Sequence, residues 1–369
     1  MKIIQLISAL DHRGGGELLF SNLCLELVKR KDVELRVIIL YDNIDGSILK
    51  DFIENGVQFF TCGKKSKFDI KCSKRMKSFI KDFSPDIINI HLSCWINYFI
   101  AFKFKKRRWK LVKTFHSIPG FDLNRISLSI EKKYVRKKLV AFIGISETIT
   151  KKAAMLYSQC QIATIENGIK IVNENDNITL LKLQKTYDFI IVAALEPVKN
   201  HFLLFDSILS LRSQYPTISL CVVGEGSLFG TFQEYINNRG ASKNIDLVGF
   251  QPNVFNYLYK SKCFVLSSNR EGNPLSILEA MSARLPIIAP RIGGIPDIVK
   301  NNINGLLFEP GNKGQLIDCL KEFLNNENKY FQIGVNNREY VKSYSIESTA
   351  NRYFDFYKEL ILLKGDQNE

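Results

Sequence analysis

Four short segments hold residue types whose spacing could do chemistry on a phosphorylated ligand. The first is Gly14-Gly15-Gly16-Glu17, directly after an apolar run and opening a helical pattern. Glycines there let the N–H groups of Gly15 and Gly16 come close to a ligand. The helix behind them carries about half a positive charge at its N-terminus, which favours phosphate. The segment is neither GxGxxG nor a Walker loop, and a tight structural turn would use the same glycines. The second segment runs from Glu271 to Glu279. Asn273 suits an N-cap and Pro274 the first helical position, so the free amides of Leu275 and Ser276 would meet an anion. Glu271 then lies in the loop ahead of the cap and Glu279 one and a half turns inside the helix. At about 1.5 Å of rise per residue the two carboxylates stand a phosphate-plus-ribose apart. One could face a reacting group while the other accepts ribose hydroxyl hydrogen bonds; a solvated helix face would also hold such a pair.

The third segment, Leu195-Glu196-Pro197-Val198-Lys199-Asn200-His201, follows an apolar run and puts Lys199 where its ammonium could meet a diphosphate. A lone surface lysine is the ordinary alternative. The fourth is His116, which ends the run Leu111–Phe115, where a polar residue faces ligand more often than core. A locally hydrogen-bonded loop histidine would look the same.

Positioning these residues falls to strands and helices that alternate along the chain. Ile3–Ser8, Leu35–Leu40, Ile87–Ile90, Leu111–Phe115 and Ala141–Ile145 read as buried strands in the first half. Phe189–Ala193, Ile218–Val223, Ile245–Val248, Cys263–Ser267 and Pro286–Ala289 read so in the second. Glu17–Arg30, His201–Tyr215 and Asn273–Ala283 have helical spacing between them. Alternation of this kind means parallel sheets with right-handed crossovers, hence an α/β fold. A chain of 369 residues exceeds one ordinary core, and the two series predict two doubly wound domains, residues 1–172 and 178–344. The junction falls in Val172–Asn177, rich in turn residues and without periodicity. A long amphipathic helix over about 345–363, started near Ser345 and Ser348, is expected to pack back on the first domain. Ligands of two such domains should sit at the carboxyl ends of the strands, in the cleft between them.

Composition narrows the class. The chain is 46% hydrophobic and 24% charged, which excludes a mostly disordered or multi-span membrane protein. The run Ile87–Phe102 is broken by Asn89, His91 and Asn97, so no spanning segment is expected, nor a cleaved leader at Met1–Leu10. Eight scattered cysteines and four histidines make neither a zinc site nor a disulfide framework, and reduced cytosol is the natural compartment. Net charge is +14, of which residues 1–176 hold +13 (31 Lys and Arg against 18 Asp and Glu). An anionic partner is implied for that half. A nucleic-acid binder would want basic residues interleaved with aromatics, and only Phe104–Lys110 offers a short stretch of that.

Taken together and in order, these segments resemble the retaining nucleotide-sugar glycosyltransferases of glycosyltransferase family 4, over nearly the whole chain. Gly14-Gly15-Gly16-Glu17 looks like the family's Gly-Gly-small-Glu turn and Phe115-His116 like its strand-end histidine. Gly144-Ile145-Ser146-Glu147, Glu166-Asn167-Gly168-Ile169 and Val223-Gly224-Glu225-Gly226 resemble further family segments. Glu271 through Glu279 matches the EX7E motif, followed by Ala280-Met281, Pro286-Ile287-Ile288, Gly293-Gly294-Ile295-Pro296 and Asn304-Gly305-Leu306-Leu307. Two positions depart from the pattern: Ala193-Ala194 stands where an arginine of the phosphate clamp is expected, and Arg284 where glycine is common.

The resemblance implies a GT-B fold, two Rossmann-like domains facing across a cleft, the first binding acceptor and the second a nucleotide diphosphate sugar. It implies retaining transfer of a hexose or N-acetylhexosamine, UDP-linked by expectation, to a polyprenyl-linked or saccharide acceptor in bacterial surface polysaccharide assembly. Glu271, His116 and Lys199 would be catalytic; Gly15, Gly16, Lys199, Asn200, Glu225, Asn273, Leu275, Ser276 and Glu279 would bind the donor. No metal, cofactor or nucleic acid is expected. The alternatives on the same fold are a nucleotide-sugar epimerase and a non-catalytic protein, both disfavoured by the EX7E run. The basic half would rest against the anionic inner face of the cell membrane. Its two basic stretches are Lys103–Lys110, with Trp109, and Arg125–Lys138, where Ile126, Leu128, Ile130, Tyr134 and Val135 accompany Lys132, Lys133, Arg136 and Lys137.

Overall fold

The computed structural model describes residues 1–10, 14–66, 69–92, 109–120, 125–158, 160–171 and 184–362. The expected junction at Val172–Asn177 and the basic stretch at 103–108 lie outside them. The chain divides into two compact units, one of Met1–Lys170 with Ile346–Glu369 and one of Ile171–Ser345.

The first unit is built on β1 (Lys2–Ile7), β2 (Glu34–Ile39), β3 (Gln58–Thr61), β4 (Ile87–Ile90), β5 (Lys110–Phe115), β6 (Val140–Gly144) and β7 (Ile162–Thr164). They form one sheet in the order β3-β2-β1-β4-β5-β6-β7, with every neighbour parallel. Ile3 registers with Leu35 on one side and Ile87 on the other. Period-two alternation sorts the strand residues onto two faces. Ile4 and Leu6 join Ile38, Ile88, Leu111 and Phe142 in one core. Met76, Ile80, Tyr134 and Ile149, from helices Ile70–Phe83, Arg125–Arg136 and Glu147–Leu156, cover it. Ile3 and Ile7 join Val37, Ile39, Ile87 and Val112 in the other. There Phe20 and Leu23 of helix Gly15–Val28 meet Tyr353, Phe354, Tyr357 and Leu360 of helix Ile346–Leu362. Each such side chain contributes about 1.5–3 kcal/mol on full burial, before the entropy of ordering it.

Helix Ile346–Leu362 is joined to this unit by polar contacts as well. Ile346 N–H donates to the Ile169 carbonyl at 2.8 Å and Thr349 Oγ1 to that of Glu166 at 3.1 Å. One strand lysine is buried: Lys113 Nζ donates to Glu131 Oε1 at 2.7 Å, both side chains almost wholly enclosed. Ser146 caps helix Glu147–Leu156 by accepting from Ile149 N–H, which gives the Ser146-Glu147 dipeptide a local structural reason.

The second unit holds β8 (Tyr187–Val192), β9 (Leu220–Val223), β10 (Ile245–Gly249), β11 (Ser261–Val265), β12 (Ile287–Pro290) and β13 (Gly305–Phe308), parallel throughout in the order β10-β9-β8-β11-β12-β13. Helices His201–Leu211, Phe229–Asn238, Leu275–Ser282, Lys313–Asn325 and Glu327–Tyr340 alternate with or follow these strands.

Strands β3, β7 and β13 were not expected from the sequence, and all three lie at sheet edges. They are three or four residues long; β3 and β7 are only half buried and lack a continuous apolar run, while β13 is buried but only four residues long. The helix expected over Asn273–Ala283 begins at Leu275, with Pro274 as its cap. Pro274 has φ −72° and ψ 117°, extended and not helical, so Asn273 lies one residue outside and does not cap. No described helix is long and apolar enough to cross a membrane.

Candidate active site

In a doubly wound sheet the strand order reverses at one point, and the loops leaving the strand ends there splay apart to leave room for a ligand. That point lies between β1 and β4 in the first unit and between β8 and β11 in the second. The loops leaving these four strands carry most of the residues singled out above.

In the second unit, Lys199 follows β8 and Glu271 follows β11. Lys199 Nζ donates to Glu271 Oε1 at 2.7 Å, and Ser268 Oγ donates to the same oxygen at 2.6 Å. Glu271 is buried and Lys199 half-buried, so the pair is largely withdrawn from water. The loops are stitched together: Asn269 N–H donates to the Val198 carbonyl at 2.8 Å and Ser267 Oγ to that of Lys199 at 3.0 Å. Asn200 Nδ2 donates to Asn269 Oδ1 at 3.1 Å. An ammonium has three N–H donors, so Lys199 keeps two after serving Glu271.

Glu271 is held from behind by a glycine turn. Gly294 N–H donates to the Gly272 carbonyl at 2.7 Å, and Gly293 has φ +59°. A Cβ on Gly293 would overlap the Glu271 carbonyl oxygen, so only glycine fits there. Beyond the loop, Ile277 N–H is taken by the Pro274 carbonyl at 3.2 Å. The N–H groups heading helix Leu275–Ser282 are therefore those of Leu275 and Ser276, although the cap has moved by one residue. Asn273 is buried beside them. Glu279 is half-buried, its carboxylate has no hydrogen-bond partner among the described residues, and burial alone pushes that carboxyl up to about 7. Glu225 is exposed; its carbonyl accepts from Leu195 N–H at 2.9 Å, which ties its loop to the end of β8. Ala194 is exposed and leaves Lys199 as the cation of this loop.

In the first unit, Gly14 caps helix Gly15–Val28, so the N–H groups of Gly15 and Gly16 head it. A Cβ on Gly16 would stand 3.5 Å from His116 Nδ1 and 3.1 Å from Leu92 Cδ2, which puts the glycine turn against the histidine. His116 meets a second histidine, one that interrupts the apolar run Ile87–Phe102. His91 Nδ1 lies 3.0 Å from His116 Nε2, and His91 Nε2 lies 2.9 Å from Gln5 Oε1. Asn89, Thr114 and Tyr357 complete a buried polar network behind them. Burial lowers the pKa of both histidines, His116 to about 4 and His91 well below the ordinary imidazole value, so both rings are neutral at pH 7. A signal for this group was present: Gln5, Asn89, His91, Thr114 and His116 are polar residues at one parity in strands that are otherwise apolar.

The basic surface differs from expectation. Trp109, Tyr134 and Val135 are buried in the first unit's core and Leu128 packs against it, so these apolar residues do not face outward. Within helix Arg125–Arg136 the 3.6 period turns Leu128, Tyr134 and Val135 to the sheet and leaves Lys133 and Arg136 exposed, and Lys137 and Lys138 just after the helix are exposed too.

Two family models match consecutive parts of the chain: "Glycosyltransferase Family 4" over residues 13–172 and "Glycosyl transferases group 1" over residues 172–340. The chain belongs to the family 4 glycosyltransferases. This glycosyltransferase is 26% identical to an uncharacterized glycosyltransferase of Methanocaldococcus jannaschii, over 98% of its own length and 99% of the relative's. It is 25% identical to the UDP-Gal:alpha-D-GlcNAc-diphosphoundecaprenol alpha-1,3-galactosyltransferase of Escherichia coli, over 86% of one chain and 87% of the other. The crystal structure of Anabaena HepE in complex with UDP matches 97% of the glycosyltransferase and 100% of that chain, with a TM-score of 0.80 at 15% identity. That likeness shows the fold, GT-B with two Rossmann-like domains.

Proposed function

We propose that this glycosyltransferase moves a hexose or N-acetylhexosamine from a UDP-sugar to a polyprenyl-linked or saccharide acceptor in bacterial surface polysaccharide assembly. Transfer proceeds with retention at the anomeric carbon and without a metal ion. The observation that carries this reading is the group at the β8–β11 switch point: Lys199 on Glu271, beside the free amides of Leu275 and Ser276. The leaving nucleoside diphosphate gains negative charge, and a fixed ammonium and a helix N-terminus stabilise that charge where it grows. Glu271 serves hydroxyls of the transferring sugar and Glu279 those of the ribose. His116, with the amides of Gly15 and Gly16, serves donor-sugar or acceptor hydroxyls. The leaving phosphate can take the acceptor's proton on the same face, so no side-chain nucleophile is required. The name of the Escherichia coli relative, a UDP-galactose enzyme acting on a diphosphoundecaprenol-linked sugar, supports the donor and acceptor classes.

Exposed lysines and arginine on the first unit would hold the enzyme at an anionic membrane surface by charge alone. The test of the chemistry is a screen of UDP-, GDP- and ADP-sugars for donor hydrolysis and transfer, with the product linkage read by NMR. We expect turnover with a UDP-sugar, unchanged by excess EDTA, and a product that keeps the donor's anomeric configuration. An inverted product, or turnover that returns only with added magnesium or manganese, would overturn this reading.

A further inference from the structure

We propose that His91 is a positioning residue that keeps the proton of His116 on Nε2, leaving His116 Nδ1 to accept a hydrogen bond from a sugar hydroxyl. The inference rests on the reading of His116 as a group that meets such a hydroxyl, and it adds which nitrogen does so and why.

The order of protons starts at Gln5. Its carbonyl oxygen lies 2.9 Å from His91 Nε2 and can only accept, so Nε2 carries the hydrogen. His91 has no exposed surface and is neutral there, so its second nitrogen, Nδ1, holds a lone pair. His116 Nε2 stands 3.0 Å from that lone pair and must donate to it. A neutral His116 then holds its own lone pair on Nδ1. That nitrogen has no partner among the described residues, and it is the one beside Gly16, 3.5 Å from where a Cβ on that glycine would stand. The order of protons is thus passed from an amide to two rings without any ring being charged.

Each member of the chain is held by neighbours. Gln5 Nε2 lies 3.0 Å from Tyr357 Oη, which anchors the other end of that amide. Asn89 Nδ2 lies 2.8 Å from both His91 Nε2 and Tyr357 Oη. A half-turn of this planar amide exchanges its oxygen for its nitrogen and gives His91 Nε2–H a second acceptor. Phe20 holds the His91 ring edge-on at 5.0 Å between centroids, and Tyr353 lies parallel to it at 6.3 Å. His91 touches no ligand-facing surface, so its effect reaches chemistry only through His116.

The test is nitrogen-15 NMR of the full chain labelled at histidine, which distinguishes the two neutral tautomers by the shifts of Nδ1 and Nε2. We expect His116 to be the Nε2–H tautomer in the wild type and a mixture in His91→Phe, with kcat lowered roughly tenfold and KM for the nucleotide sugar little changed. His91→Gln, whose amide oxygen can accept from Nε2–H, should restore both the tautomer and most of the turnover. A wild-type His116 protonated on Nδ1 would overturn the proposal, and so would an unchanged tautomer in His91→Phe. The wild-type spectrum decides even if a variant fails to fold. Turnover of His116→Ala is a separate arm: if it equals wild type, the hydroxyl-facing role of His116 fails, while the spectrum still reports who sets its proton.

Discussion

Glu279 and His116 are both half-buried, and burial moves both towards the neutral form, by raising the carboxyl to about 7 and lowering the imidazole to about 4. The histidine therefore works in one state across the cellular range, whereas the glutamate does not. A ribose diol donates best to an ionised carboxylate. In the free protein Glu279 loses its proton as pH rises through about 7, so nucleotide affinity should rise across that window and level off above it. Calorimetry with UDP from pH 6 to 8.5, comparing wild type with Glu279→Gln, isolates the residue's share from the phosphate's own titration. We expect the variant to lose the carboxylate-dependent rise; equal pH curves would remove Glu279 from the ribose contact. At this scale the sequence was legible in part. Glu271, Lys199 and His116 could be singled out from motif order, but the contacts of Lys199 with Glu271 and of His116 with His91 could not. Lys199 and Glu271 are 72 residues apart and meet only because β8 and β11 are neighbours. Asn89 and His91 looked like interruptions of an apolar run, since a strand that buries polar groups against a partner helix gives no sign of the partner.

Among elements, interior strands were readable because they are buried on both faces and make apolar runs; edge strands such as β3 and β7 are half-covered and do not. Helix ends were less legible. The stop after helix Leu275–Ser282 illustrates why: Arg284 follows at φ +63°, a left-handed position that favours glycine and costs a residue with a Cβ about 1 kcal/mol or more. Arg284→Gly should therefore raise stability by about 0.5–1 kcal/mol after the added freedom of the unfolded chain is subtracted. Urea unfolding measures it, and a lower midpoint would mean that Arg284's own contacts outweigh the strain. A second element-level case is helix Arg125–Arg136, fastened to β5 by the enclosed pair Lys113–Glu131. Glu131→Ala leaves a buried ammonium without its counter-charge and should cost about 3–5 kcal/mol, while Lys113→Met with Glu131→Leu should cost far less. If the single change is as mild as the double, the pair is solvated and does not fasten the helix.

For the molecule as a whole, charge is divided by sequence half, and the fold decides what the charge can do. Leu128, Tyr134 and Val135, neighbours of Lys133 and Arg136, are spent on the core, while the side chains of Ile126 and Ile130 lie outside the described residues; the proposed contact with a bilayer would draw on the exposed charges. Each basic residue near an anionic surface contributes about 1 kcal/mol and is screened within a Debye length of about 8 Å at physiological salt. Flotation with vesicles containing anionic lipid should show binding at low salt that is lost towards 0.5 M, and charge reversal at Lys133, Arg136, Lys137 and Lys138 should weaken it while soluble-acceptor turnover persists. Salt-resistant flotation would point to inserted apolar side chains instead, and no flotation at low salt to a soluble acceptor.

The return of helix Ile346–Leu362 to the first unit also orders events during synthesis. Residues 171–345 form a contiguous unit and can close their core as soon as they leave the ribosome. The first unit cannot, because Tyr353, Phe354, Tyr357 and Leu360, which cover one face of its sheet, are translated after the whole second unit. Until they arrive, Gln5 and Asn89 lack the phenol that pins their amides, so the earliest-made strand waits for one of the latest-made helices before its histidines can be set.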